Sequence, residues 1–346
     1  MAVTTLRTIA EVANVSIATV SLALNNDPRL SQATRERVQK IAKQLNYKPN
    51  INAQALKGKG AKTIGVVVSN LTNPFFGEMI HGLFDAAAKD NYNVLLELSN
   101  NDLEQEKRAL DILINNHVAG IIISGILDER EENEIEMIEK ISSSGLPIIC
   151  TDRYLSSNNI SYISINQYAA AYDLTTRLIN QGHKNIAVVS YLQSCHIITE
   201  RERGVRHSCL DHKIPFDEND VFYVAKDNAT PIGPVVDQIL GSEKVYSVIF
   251  FICGDLFAIK GIKYLQDAGY SVPDVISIAG FDDIYMSNII TPRLTTIRQP
   301  AEMIGKGAFE LLLKKIGGDD SVEQIHLPYS IQWRESCCSD SSGVSN

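Results

Sequence analysis

Residues 8–25 read TIAEVANVSIATVSLALN, and the spacing of their apolar side chains sets the fold at the start of this 346-residue chain. With Leu6 just before them, Ile9, Ala10 and Ala13 recur at intervals of three and four, so they share one face of a short helix, Leu6 to Ala13, preceded by Thr5. Asn14-Val15-Ser16 then makes a tight turn, with Ser16 as the N-cap of IATVSLALN. Two short helices across such a turn form a helix-turn-helix pattern. Asn25-Asn26-Asp27-Pro28 ends the second helix, and Ser31 caps a third whose Val38, Ile41, Ala42 and Leu45 point inward. Pro49 closes the unit. On spacing alone, a three-helix bundle with no role at DNA fits as well.

Charge separates this head from the rest. Residues 1–62 hold ten Lys and Arg against three Asp and Glu, a balance of +7, and the remaining 284 hold 22 against 38, or −16. An acidic body excludes general affinity for polyanions, while a basic head has the footprint of a DNA reader or of a solvated basic face. NINAQALKGKGAK, residues 50–62, is too polar to fold alone, yet Asn50 can cap one helical turn on which Ala53 and Leu56 face the same way. By itself the segment reads as a linker.

Beyond Lys62, short β-rich runs alternate with amphipathic helices. TIGVVVS, NVLLELS, GIIIS and PIICTD lead one set, and YISIN, NIAVVS, VFYVA, SVIFFI and ISIAGF form a second. The alternation predicts two parallel, helix-covered sheets, with a ligand pocket beyond the carboxyl ends of the strands and between two lobes. Polar residues fall where that pocket needs them: NPFF (73–76) after the first strand, Asp152-Arg153 after the fourth, GFDD (280–283) after a late one.

Other classes of function are disfavoured. Six cysteines at 150, 195, 209, 253, 337 and 338 form no CxxC pair, as expected of reduced thiols in the cytoplasm. MAVTTLRTIA lacks the basic start and apolar core of a signal peptide, and no apolar run approaches the roughly 18 residues of a membrane span, so a soluble cytoplasmic protein is expected. The seven histidines lack carboxylate or Cys partners at ligand spacing, and no GxSxG or Walker pattern is present, so neither enzyme, metal nor cofactor is expected.

Taken together, TIAEVANVSIATVSLALN, TRERVQKIAKQLNYKPN (34–50) and the Ala53 and Leu56 segment resemble the LacI/GalR family of bacterial regulators, and the likeness runs from about Leu6 to Ser336. It implies an all-α helix-turn-helix head (1–49), a hinge helix and linker (50–62), and an α/β two-lobed body (63–336) like the periplasmic sugar-binding proteins, with a tail from 337 to 346. The N-lobe takes about 63–164 and 299–325, the C-lobe about 165–298 and 326–336, with crossings near Ile165, Gln299 and His326. Trp333-Arg334-Glu335-Ser336 meets the family's end pattern, and no heptad tail follows to join dimers into a tetramer.

In that family the second helix enters the major groove and its first residues, here Ile17 and Ala18, read base edges. Neither side chain hydrogen-bonds, so readout would be apolar contact, such as with thymine methyls, and the family's usual Arg after Val-Ser is Leu22. Thr5, Ser16, Thr19, Ser21, Asn25, Ser31 and Tyr47 match positions that hold phosphates; capping and packing are the alternative roles. The hinge helix folds on operator DNA, pairs with its dimer mate in the minor groove and wedges Leu56 between central base pairs.

For the body, the resemblance implies that Asn73, Asp152, Arg201, Asp255, Asp282 and Gln299 hydrogen-bond an effector, with Phe75 and Phe76 as apolar walls. A lobe-closing salt bridge or a loop cap is the alternative for each, and Gly254 stands where many relatives carry Asn. The expected function is a homodimeric repressor of a carbohydrate-utilisation operon, bound to palindromic double-stranded DNA and controlled by a sugar or sugar phosphate. A regulator answering to a nucleobase or nucleoside, a solute-binding protein without gene control, and a sugar-processing enzyme using Asp152 and Asp282 are the competing readings.

Overall fold

The computed structural model describes residues 5–45, 47, 62–125, 132–153, 159–192, 195–225 and 230–337. Two compact units, Met1–Ala61 and Lys62–Asn346, divide the chain. In the first, α1 (Leu6–Ala13) begins with a reciprocal cap: Thr5 Oγ1 accepts from the Thr8 amide and the Thr5 amide donates to Thr8 Oγ1. It stops at Asn14, whose φ of 49° is left-handed. Ser16 caps α2 (Ile17–Leu24) and Ser31 caps α3 (Gln32–Gln44), each hydroxyl accepting from the amide three residues on. The axes of α1 and α2 turn through 102°, the crossing expected of a helix-turn-helix. Ile9, Ala10, Ala13, Val20, Ala23, Val38 and Ala42 make its core, with Leu24, Ile41, Leu45 and Tyr47 packed around it.

The second unit is two six-stranded sheets. The first contains β1 (Thr63–Val68), β2 (Asn93–Leu98), β3 (Ile121–Ile123), β4 (Ile148–Thr151), β5 (Ser161–Ile165) and β11 (Gln324–Leu327), in the order β11-β5-β4-β3-β1-β2 and parallel throughout. The second contains β6 (Ile186–Tyr191), β7 (Val221–Val224), β8 (Val248–Phe251), β9 (Ser277–Asp282), β10 (Thr295–Arg298) and β12 (Ser330–Gln332), in the order β12-β10-β9-β8-β6-β7. Both faces of each sheet are apolar because helices cover them. On the first sheet, α4 (Pro74–Lys89) and α11 (Ala301–Ile316) bury one face, and α5 (Leu103–Asn115) and α6 (Glu132–Ser143) the other. On the second, α7 (Gln167–Asn180) and α8 (His196–Asp211) lie opposite α9 (Gly233–Leu240) and α10 (Asp255–Asp267). No single helix among the described residues is long and apolar enough to cross a membrane.

Two expectations change. YISIN (β5) belongs to the first sheet: Ile149, Cys150 and Thr151 of β4 pair with Ser161, Tyr162 and Ile163. The second sheet is not wholly parallel, since β12 runs antiparallel to β10. The chain leaves β11 at its carboxyl end and enters β12 after only two residues, with no helix to carry it back to the far side. It must therefore run away from the strand ends it has just reached. The other passages between lobes follow Ile165 and Arg298, while the third falls at Pro328-Tyr329, because His326 still pairs with Ser164 in the ladder.

Candidate functional site

On the head, Ser16, Ile17 and Ala18 open α2 with their side chains exposed, Ile17 at 48%, while Val20 and Ala23 anchor the opposite side in the core. Thr19, Ser21 and Leu22 are half-buried, and Asn25 is exposed with its amide donating to the Ser21 carbonyl at 2.8 Å. The cap hydroxyls of Thr5, Ser16 and Ser31 accept from backbone amides, and each also shares a hydroxyl–hydroxyl bond with the threonine three residues on, Thr8, Thr19 and Thr34. Tyr47 packs half-buried against the head core. Asn50, Ala53 and Leu56 lie outside the described residues.

In the body, the carboxyl ends of the strands deliver charged groups to one buried cluster. Asp152 and Arg153 follow β4, Asp282 ends β9, Gln299 follows β10, and Arg201 projects from α8. All five are at least nine-tenths buried. The Arg201 guanidinium lies 3.5 Å from the centre of the Phe281 ring, donates from Nε to Gln167 Oε1 and from Nη1 to the Ile252 carbonyl (both 2.8 Å), and leaves Nη2 4.0 Å from Asp282 Oδ1. Asp282 Oδ1 accepts from Gln299 Nε2 at 2.8 Å, and Gln299 Oε1 accepts from Gln167 at 3.3 Å. From the other lobe, Asn73 Nδ2 donates to Asp282 Oδ2 at 3.2 Å, a bond between the two lobes.

The electrostatics follow from burial. Desolvation raises the Asp152 carboxyl to about 6, with the charges of Arg201 and Arg153 pulling the other way. Asp282 is raised for the same reason, opposed by Arg201 and by hydrogen bonds from Gln299 and Asn73. The backbone is also bent out of its common range here: φ is +116° at Asp282, +53° at Asp152 and +118° at Gly254. At Gly254 a Cβ would sit 3.2 Å from Asp282 Oδ2. Such conformations persist where surrounding structure imposes them and gather at ligand sites.

Three expected ligands occupy different ground. Asp255 is wholly buried and its oxygens are taken: Oδ1 accepts from Thr296 Oγ1, and Oδ2 from Ser287 Oγ and the Ile284 amide. It braces β10 and the Ile284 turn against α10, and burial pushes its carboxyl up to about 8. Phe75 and Phe76 are buried in the first lobe's apolar core with Val68, Met79 and Ile284. Asn73 caps α4 through the Phe75 amide as well as reaching Asp282.

The sequence reading missed Gln167, which no local pattern marks, and chose Asp152 without Arg153. It also passed over Ser69 and Ser124, buried hydroxyls just beyond β1 and β3 that have no protein hydrogen-bond partner among the described residues. Their signal was present, since the runs TIGVVVS and GIIIS each end in Ser. No group of three or more His, Cys, Asp or Glu among the described residues is placed to hold a metal ion.

Residues 5–50 match the bacterial regulatory proteins of the lacI family, and residues 175–337 match the periplasmic binding protein-like domain. Catabolite control protein A of Priestia megaterium is 32% identical over 338 residues, 96% of this chain and 98% of that protein. The structure of the transcriptional regulator CelR in complex with cellobiose superposes with a TM-score of 0.72 at 25% identity, over 96% of this chain and 99% of that one. The lac repressor dimer bound to operator and the anti-inducer ONPF shares the fold, with a TM-score of 0.83 at 24% identity over 97% and 100%. The chain therefore belongs to the LacI family of bacterial transcriptional regulators and is not an enzyme.

Proposed function

We propose that the protein represses a carbohydrate-utilisation operon, and that a sugar or sugar phosphate bound between the lobes sets its affinity for a palindromic operator. The observation that carries this reading is the Asn73–Asp282 bond within a buried charged cluster at the strand ends, because it gives a ligand two lobes to hold in one geometry. A relative of the same fold in complex with cellobiose supports a sugar as the class of ligand. On the head, the exposed start of α2 and the +7 charge support reading by the major groove and by phosphates. Asp152, Arg201, Asp282 and Gln299 would grip the effector, with Asn73 at the lobe boundary. The protein would act in the bacterial cytoplasm as a homodimer.

Ligand and operator must then be linked reciprocally, since a ligand shifts DNA affinity only by preferring one lobe geometry. Selection of bound duplexes from a random DNA pool by the full chain, repeated with ribose, glucose and cellobiose present, tests the reading. Recovery of a palindrome whose affinity changes with one of these sugars is the expected result. Absence of any enriched sequence in every condition would refute it.

A further inference from the structure

We infer that Leu256, Ile284 and Met286 form an apolar latch through which the chain's own contacts set the balance between closed and open lobes. The latch does not depend on the effector reading above; only its consequence at the operator does. The first observation is a displaced set of side chains. All three lie in the second lobe's stretch of chain, Leu256 in the first turn of α10, Ile284 and Met286 at and within the short 3-10 turn Tyr285–Asn288. Yet Ile284, only 2% exposed, belongs to the first lobe's apolar cluster with Val68, Phe75, Phe76 and Met79, and Leu256 and Met286 pack against that same cluster. Among the described residues, none of the three joins either cluster that the second lobe builds for itself. Ile259, one turn along α10, packs against clusters of both lobes and marks the boundary.

The backbone aims this set out of its own lobe. Asp282 and Asp283, just before Ile284, have φ of +116° and +56°, values that residues with side chains hold only where the surroundings impose them. Asp255, next to Leu256, then ties the turn down. Its Oδ2 accepts from the Ile284 amide at 3.1 Å and from Ser287 Oγ at 2.6 Å, and its Oδ1 accepts from Thr296 Oγ1 at 2.6 Å. One buried carboxylate therefore fixes both stretches that carry the latch, a task apart from holding any ligand. The turn is two-sided, as an inserted tongue requires: Ile284 is buried and Met286 half-buried, while Tyr285 and Ile289 are exposed.

Opening the lobes must draw these side chains out of the first lobe's cluster, because they ride on the second. An apolar contact resists separation in proportion to the area it would expose, and it needs no ligand to do so. The Asn73–Asp282 bond between the lobes is different, since water can replace it at little net cost. The latch thus sets how far a ligand has to shift the balance: lengthening these side chains favours closure by the chain itself, and shortening them leaves closure to the ligand.

Small-angle X-ray scattering on the ligand-free, full-length protein tests the latch, with wild type beside Met286→Ala, Ile284→Ala and a variant that combines both with Leu256→Ala. Ile284→Ala alone removes three buried carbons and should shift the ratio of closed to open lobes at least about tenfold toward open. The radius of gyration should rise from Met286→Ala through Ile284→Ala to the triple variant, whose operator affinity without sugar should change several-fold. Ile278→Ala is the control, because Ile278 lies in the second lobe's own core: it should lower the unfolding temperature and leave the radius of gyration at the wild-type value. An unchanged radius in all three latch variants, each folded by circular dichroism, would overturn the latch, as would an equal rise in Ile278→Ala. A larger radius with unaltered operator affinity would uphold the latch and refute instead the reading that lobe geometry governs DNA binding.

Discussion

Replacing thymine by deoxyuridine in the selected operator should weaken binding, because Ile17 and Ala18, exposed at the start of α2, can offer the bases only apolar side chains. The helix reads IATVSLAL and contains no Arg, Lys, Asn or Gln. The nearby cations that could reach across are held elsewhere: Arg29 Nη2 lies 2.8 Å from Asp27 Oδ2, Arg35 donates to the Asn26 carbonyl, and Arg37 to the Ala13 carbonyl. Bidentate contact with guanine or adenine from α2 is thereby excluded, and the 5-methyl of thymine remains as the feature that Ile17 and Ala18 can recognise in the major groove.

Burying one methyl is worth ~0.8 kcal/mol, or about fourfold in affinity. With one methyl per half-site and two heads on the palindrome, the loss is about 1.6 kcal/mol, or about fifteenfold. Fluorescence anisotropy at a single fixed salt concentration, with deoxyuridine placed at one symmetric pair of positions at a time, would locate the contacted methyls. Ile17→Ala should shrink the deoxyuridine effect at the same pair, which identifies the contact by its coupling. Equal affinity for the thymine and deoxyuridine operators at every position, with sequence specificity retained, would refute the reasoning and point to DNA shape as the signal.

Arg201→Ala should abolish the effect of sugar on operator affinity and destabilise the body by about 3 kcal/mol, since it strands buried carboxylates; an unchanged sugar affinity measured by calorimetry would contradict the site. Asp255, raised to about 8, contributes stability that is fully present below its unfolded value near 3.8 and is lost as pH rises through about 8. Urea unfolding of wild type between pH 5 and pH 8 should therefore decline more steeply than that of Asp255→Asn, and parallel slopes would count against it. Gly305→Ala would place a Cβ 1.8 Å from the Met79 carbonyl oxygen where α11 crosses α4, costing about 3 kcal/mol, whereas Gly77→Ala on the same α4 meets nothing within 4 Å and should be neutral or stabilising in thermal melts. Leu56→Ala should weaken operator binding with sugar affinity near normal, as an operator titration beside calorimetry would show.

The head was legible because its determinants are local: Thr5, Ser16 and Ser31 each cap through the amide three residues on, and the apolar spacing turns directly into the buried set Ile9, Ala13, Val20 and Val38. The body's strands were legible as runs, but not their partners. YISIN looks the same whichever sheet receives it, and only its pairing with β4 places it. Asp255 and Asp282 both follow glycine-containing strand ends, yet one bends into hydroxyls of its own lobe and the other accepts from Asn73 across the lobes. That difference arises from contacts between residues 32, 41 and 209 apart in sequence, which no local pattern encodes. The same holds for Gln167, which joins Arg201 to Gln299 from the first turn of α7.

The groups at the strand ends also decide how strongly a ligand can control the head. A ligand changes operator affinity only by the difference between its affinities for the two lobe geometries, so a hundredfold response requires about 2.7 kcal/mol of difference. A neutral hydrogen bond contributes about 1 kcal/mol net. The first lobe offers four unanswered groups in Ser69, Ser124, Asp152 and Arg153, and the second offers Arg201 and Asp282 across the Asn73 contact. Bonds to the first lobe's four groups form in either geometry and set affinity alone, so the difference must come from the second lobe, where two to three bonds at about 1 kcal/mol each, from groups such as Arg201 and Asp282, suffice for a hundredfold response. Losing one serine hydroxyl should then weaken ligand binding while leaving the response at saturation unchanged, whereas losing Arg201 removes the second lobe's hold and with it the difference between geometries. A saturated response in Ser69→Ala several-fold smaller than wild type would mean that the first lobe's contacts also differ between the two geometries.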